Sequence, residues 1–290
     1  MSQDDIMGWR FYNHAMIPTT APHEEADLSP LESEEIWNCR KDRKRPILAV
    51  WTSDWDCDYE TQWWYVIREK PFDLSSLSSS SRRNIRKAFR NCRVEKIDPS
   101  QYAEDLWRVF LETVERYENY VIDITKEEFI NACAVSCPEE EYWAGFDKES
   151  GILIGYAIFV VHDDWVTFHK SRYSALYLKL RVSDAINAKA LDYYLNQKGK
   201  RYVTDGMRSV LHKTNFQRYL KEHFGYRNAY CVLHMKYRKP LNIFIYIIYP
   251  FRKILKMFDR NNAICKLNAL LVMEQANREQ RVTDAKKSAL

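Results

Sequence analysis

From residue 141 onward the spacing of apolar side chains switches between a period of two and a period near 3.6, the repeats of strands and helices. Residues 141–146 (EYWAGF), 152–162 (ILIGYAIFVVH) and 165–173 (WVTFHKSRY) predict three successive strands. Asp147-Lys148-Glu149-Ser150-Gly151 and Asp163-Asp164 supply the turns between them. Residues 184–197 predict a helix capped by Ser183 or Asp184 and stopped by Gly199. Residues 201–205 predict a fourth strand, 215–224 a helix and 228–237 a fifth strand. Upstream, Leu106, Val109, Phe110, Val114 and Tyr117 place an amphipathic helix at 103–117, and a shorter helix fits 126–135. Strands also fit 47–52 and 63–68. Residues 1–45, with Pro18, Pro22 and Pro30, read as irregular, and the polar residues 274–290 as a fraying tail.

Two stretches stand out by charge. After the serines of 75–81, Arg82, Arg86, Arg90 and Arg93 share one arc of a helix whose other side carries Ile85, Ala88, Phe89 and Cys92. That positive arc is either a solvated face or a cradle for an anionic ligand. The run from Arg40 to Arg45 reads as a solvated loop. Residues 241–258 (LNIFIYIIYPFRKILKMF) are apolar, broken by Pro250, then mixed with Arg252, Lys253 and Lys256. They fit a helix packed on the domain, a dimer contact, or a peripheral membrane segment.

Composition narrows the class. A chain of 290 residues with 46% hydrophobic and 29% charged residues folds, and the pattern divides it into 1–80, 81–240 and 241–290. Seven glycines argue against a glycine-rich nucleotide loop. A net charge of +4 is too small to indicate nucleic-acid binding, so DNA is not an expected partner. Seven cysteines without a CxxC pair read as reduced, mostly buried thiols, and no metal site is expected. The N-terminus lacks the apolar core of a signal peptide, which leads to the expectation of a cytoplasmic protein.

The order from residue 82 to 239 resembles the GNAT acyltransferase fold, an α+β architecture in which a mixed, mostly antiparallel sheet is flanked by helices. FQRYLKEHFGYRNAYCVLHMKYRK resembles the last helix and strand of that family, with Gly225-Tyr226 as the Gly-aromatic pair after the helix. LSSSSRRNIRKAFRNCRVEKI resembles the segment that joins the GNAT-like halves of FemAB-type peptidyltransferases, so residues 1–80 would be a reduced first half. The resemblance implies an acyl- or aminoacyl-transferase acting on an amine or hydroxyl acceptor, in envelope or polysaccharide assembly at the inner membrane face. Its donor would be acyl-CoA or, as the alternative, an aminoacyl-tRNA. A carrier pyrophosphate would sit on the N-terminus of the helix at 184–197, with Lys179, Arg181, Ser183 and Asn215 as donor-binding residues. The loop before that helix departs from the family: it has no glycine, and Asp184 stands at the first glycine position, where its charge opposes a phosphate.

Direct attack on an activated carbonyl needs positioning and a base. Asp205 is a turn residue before Gly206 or that base. Arg208 is a surface residue or an anion clamp, and His212 is a loop group able to titrate near neutrality. Arg82, Arg86, Arg90, His169 and Tyr173 are candidate substrate-binding residues, with His169, Ser171 and Tyr173 expected on one strand face. The family's tyrosine four residues before the glycine is Lys221 here, and Tyr219 is displaced by two, so that role is not transferred. The alternative to an enzyme is a non-catalytic module of the same fold that holds an anionic partner on the basic helix.

Overall fold

A computed structural model describes residues 5–41, 44–116, 122, 124–135, 137–210, 215–258 and 262–287. The chain begins with three short strands, β1 (Asp5–Ile6), β2 (Trp9–Tyr12) and β3 (Ala15–Pro18), and a single turn of helix, α1 (Ser29–Glu32). Strands β4 (Leu48–Ser53) and β5 (Trp63–Arg68) follow, then α2 (Ser79–Asn91), β6 (Cys92–Ile97), α3 (Ala103–Val114) and α4 (Lys126–Ala134). The central part is β7 (Glu140–Asp147), β8 (Leu153–Val161), β9 (Trp165–Tyr173), α5 (Val182–Leu191), β10 (Tyr202–Met207), α6 (Phe216–Phe224) and β11 (Arg227–Tyr237). Helices α7 (Leu241–Ile248), α8 (Arg252–Leu255) and α9 (Asn262–Lys287) complete the chain.

The residues fall into two compact units: Met1–Tyr65, Met207–Thr214 and Asn228–Leu290 form the first, and Val66–Gly206 with Asn215–Arg227 the second. In the second unit the strand order is β10-β9-β8-β7-β6. Neighbours from β6 to β9 are antiparallel, whereas β9 and β10 run parallel, joined by the crossover through α5. Ala103, Leu106 and Val109 of α3 pack with Tyr142, Ala144, Phe146, Tyr156 and Ile158 on one face. On the other face α5 lies so close that a Cβ at Gly145 would meet Val182 at 2.2 Å, and one at Gly155 would meet Val182 at 3.1 Å and Tyr173 of β9 at 2.7 Å. Glycine is required there by approach, since successive residues of a strand face opposite sides.

In the first unit the order is β1-β2-β3-β4-β11, with β1 to β3 a small antiparallel meander and β4 paired antiparallel with β11 over Leu48–Ser53. Trp9, Met16, Leu31, Ile36 and Trp37 fill one core cluster, and Leu48, Val50, Cys231, Leu233 and Met235 another. None of the seven cysteines is in a disulfide, and Cys39, Cys92, Cys133 and Cys231 are buried.

The α+β class and the mixed, mostly antiparallel sheet follow the expectation from sequence. Four local readings are corrected. Residues 5–18 are strands, not irregular chain. Residues 92–97 form β6, so Arg93 leaves the helical arc, pairs with Glu95 and lies 4.3 Å over the Phe146 ring. The helix after β9 begins at Val182, behind a left-handed Arg181, without a side-chain cap from Ser183 or Asp184. Residues 274–287 continue α9, and Glu274 is buried, taking hydrogen bonds from Tyr237 at 2.8 Å and Arg278 at 2.5 Å.

Candidate functional site

β9 and β10 pair through Tyr202↔Trp165, Val203↔Val166 and Thr204↔Thr167 and no further. The next residue of β10 is Asp205. The buried Thr204 hydroxyl donates to the Val66 carbonyl (3.0 Å) and accepts from the Gly206 N–H (2.9 Å). Gly206 follows at φ +82°, so Asp205 lies within β10 just past the last β9–β10 pair. As a whole residue Asp205 is half-buried. Burial raises its pKa to about 7, against a smaller lowering by the hydrogen bond from Gln217 in the first turn of α6. A carboxylate that exchanges its proton near neutrality is suited to general-base work.

Tyr226 stands on the chain just after Gly225. Its hydroxyl is buried with no hydrogen-bond partner among the described residues, and burial together with the Asp205 charge holds its pKa above the ordinary phenol value. Beneath it Arg68 is 8% exposed and spends its guanidinium on three carbonyls: Lys70 (3.1 Å), Gly225 (3.1 Å) and Pro71 (2.9 Å). Burial lowers the Arg68 pKa. Asp205, Gln217, Tyr226 and Arg68 thus bring β5, β10, α6 and the start of β11 together within the second unit.

A second group occupies the N-terminus of α5. The buried Asp184 accepts a hydrogen bond from Tyr219 of α6 at 2.7 Å and from Arg181 at 3.4 Å, and Ser183 Oγ lies 3.4 Å from the Tyr219 hydroxyl. The Tyr219 ring stacks on Phe216 (5.9 Å between centroids), and Phe216 meets Phe168 of β9 at 4.9 Å. An aromatic column therefore runs from Phe168, just past the last β9–β10 pair, to Asp184. The helix end that would hold a carrier pyrophosphate already holds the protein's own carboxyl, and the residues present do not fit that group. Tyr219→Phe removes the shortest of the Asp184 contacts. It is expected to cost about 1.5–3 kcal/mol of unfolding free energy, the range for hydrogen bonds to charged groups, measured by denaturant melting.

The other sequence candidates scatter. Lys179 is exposed in the helical turn Ala175–Leu180, and Asn215 precedes α6 without a side-chain capping bond. Arg82 is used locally, donating to the carbonyls of Ser75 and Leu77 at 3.1 and 2.7 Å. Arg86 and Arg90 are exposed, and with Arg83 and Lys87 they form the cationic stripe of α2 at i, i+3, i+4 and i+7. His169 is exposed at an irregularity in the register: Phe159 pairs with Phe168 and Ile158 with Lys170, so His169 is the extra residue of a bulge. The bulge breaks the alternation expected to place His169 with Tyr173, whose hydroxyl is buried. Arg208 lies in the first unit, where it donates to the Gln62 carbonyl at 2.7 Å and covers the Trp64 ring at 4.7 Å. His212 lies outside the described residues. Gln217 and Tyr226 were not among the sequence candidates; the only signal for Tyr226 was its place in the Gly-aromatic pair. Among the described residues no group of three or more His, Cys, Asp or Glu is placed to hold a metal ion, and no helix is long and apolar enough to cross a membrane.

No protein-family model matches the chain, and no curated protein does. Solved structures similar to it include L-PGS from Bacillus licheniformis, at 11% identity over 85% of this chain and 84% of that one, with a TM-score of 0.49. FemX is similar at 13% identity over 59% of this chain, with a TM-score of 0.46; the chain spans 60% of the FemX length. The PaiA N-acetyltransferase from Thermoplasma acidophilum, in complex with coenzyme A, is similar at 15% identity over 38% of this chain and 74% of that one, with a TM-score of 0.31.

Proposed function

We propose that the second unit transfers an acyl or aminoacyl group from an activated ester to an amine or hydroxyl, with Asp205 as general base. The acceptor N–H or O–H gives its proton to the Asp205 carboxylate as its N or O bonds to the donor carbonyl carbon. The carbonyl–oxygen bond to the carrier then breaks, and the proton held on Asp205 passes to the departing oxygen. The observation behind this reading is that Asp205 follows the last β9–β10 pair and that burial raises its pKa to about 7. Asp184 disfavours coenzyme A as carrier. An aminoacyl-tRNA fits better, because its phosphates can be met by Arg83, Arg86, Lys87 and Arg90 on α2.

The test uses the full chain, labelled aminoacyl-tRNA and a small amine acceptor. Loss of labelled ester together with appearance of labelled amide is expected, with a rate that rises with pH and levels off above about 7. Coenzyme A and acetyl-CoA are expected to leave the melting temperature unchanged. A clear shift with coenzyme A would overturn the exclusion, and turnover indifferent to Asp205→Asn would overturn the role of Asp205. The second reading, a binding module without catalysis, rests on the same cationic stripe; tRNA binding that falls steeply with salt, without amide formation, would favour it.

A further inference from the structure

Helices α7 and α8 leave an unusual set of side chains uncovered. Ile245 is 1% exposed and seats α7, whereas Tyr246 is 73%, Ile247 59%, Phe251 56% and Met257 80% exposed, and Ile243, Phe244, Ile254 and Phe258 are exposed as well. Folded domains seldom leave so many large apolar side chains open in one segment unless something covers them. The segment is held in place, not trailing: the Tyr249 ring lies under Arg252 at 4.3 Å and under Arg278 of α9 at 3.8 Å.

The charge pattern says what covers it. From Gly225 to Phe258 the chain has no acidic residue, and it carries Arg227, Lys236, Arg238, Lys239, Arg252, Lys253 and Lys256. Lys239, Lys253 and Lys256 are exposed beside the apolar side chains. Apolar groups, tyrosines at their margin and cations without intervening acids match the boundary between acyl chains and anionic headgroups. Residues 241–258 alternate short α and 3-10 turns, and among the described residues no helix is long and apolar enough to cross a membrane. We infer that residues 241–258 form an interfacial docking surface for an anionic lipid bilayer, lying in its plane. The inference is independent of the transfer reaction.

Co-sedimentation of the full chain with vesicles tests it. Binding is expected to vesicles containing phosphatidylglycerol and to be weak with phosphatidylcholine alone. Each cation near an anionic surface is worth about fivefold in partitioning, so Lys253→Gln with Lys256→Gln is expected to weaken binding about 25-fold. Phe251→Ser with Met257→Ser is expected to abolish it, with melting temperatures unchanged because these side chains touch solvent. Equal binding to both vesicle types, binding unaffected by either pair of substitutions, or no binding at all would overturn the proposal. So would sedimentation equilibrium showing a dimer that Phe251→Ser with Met257→Ser converts to monomer, since a second copy would then be the occupant.

Discussion

Asp205→Asn is expected to lower the transfer rate by about 10²–10⁴, the usual worth of a positioned base, and at the same time to stabilise the protein near neutral pH. The two effects share one cause. Burial raises the folded-state pKa of Asp205 from an ordinary 3.8 to about 7. Between those values the native state binds more protons than the unfolded chain, so stability falls as pH rises through that window. Below pH 4 both states are protonated and the penalty vanishes; above 7 it is fully present. Asparagine fills the same space without a charge to desolvate, and the gain at pH 8, discounted because the residue is only half-buried, is about 1–3 kcal/mol. Calorimetric melting from pH 4 to pH 8 measures it: the advantage of the variant grows with pH. A wild type and a variant with parallel melting curves across that range would mean that the carboxyl is ordinary.

Gly225→Ala is expected to destabilise the second unit strongly. Gly225 ends α6 in the left-handed conformation at φ +65°, which costs any other residue about 1–2 kcal/mol. The added Cβ would also lie 2.1 Å from Arg68 Nη1. Arg68 cannot swing away cheaply, because its guanidinium is buried and bound to three carbonyls, one of them that of Gly225 itself. Uncoupling a buried charge from its partners adds about 3 kcal/mol, so a total of about 4–5 kcal/mol is expected in denaturant unfolding. Gly199→Ala is the control. Its φ is +63°, but no atom lies within 4 Å of the new Cβ, so it should cost only the backbone term. Equal losses at the two positions would show that Arg68 is not the obstacle.

Where local pattern decides structure, the sequence was readable. WVTFHKSRY alternates strongly enough that β9 was located to the residue. β6 was not, because CRVEKI is short, carries three charged residues and sits at the sheet edge, beside β7 alone. The strands before residue 20 are two to four residues long and joined at tight turns through Met7-Gly8 and Asn13-His14, all at positive φ. Such turns leave a pattern too brief to show a period. The start of α5 defeated the capping rule because Asp184, a natural cap, is drawn instead to Tyr219, 35 residues away.

The candidate site divides the same way. Asp205 was legible as an Asp-Gly, but β10 runs on past it to Met207, and its burial and its partners Gln217 and Tyr226 come from distant segments. Arg208, three residues on, is taken up by Gln62 and Trp64, contacts that no spacing announces. The bulge at His169 depends on the partner strand as much as on its own residues.

A base at Asp205 requires that β10 present a carboxyl whose proton leaves near neutrality. Carbon-13 labelling of the aspartates, with Asp205→Asn identifying the resonance by its loss, allows the side-chain carboxyl to be titrated directly by NMR. A midpoint near 7 is the expected result; a midpoint near 4 would contradict the assignment of Asp205 as the base.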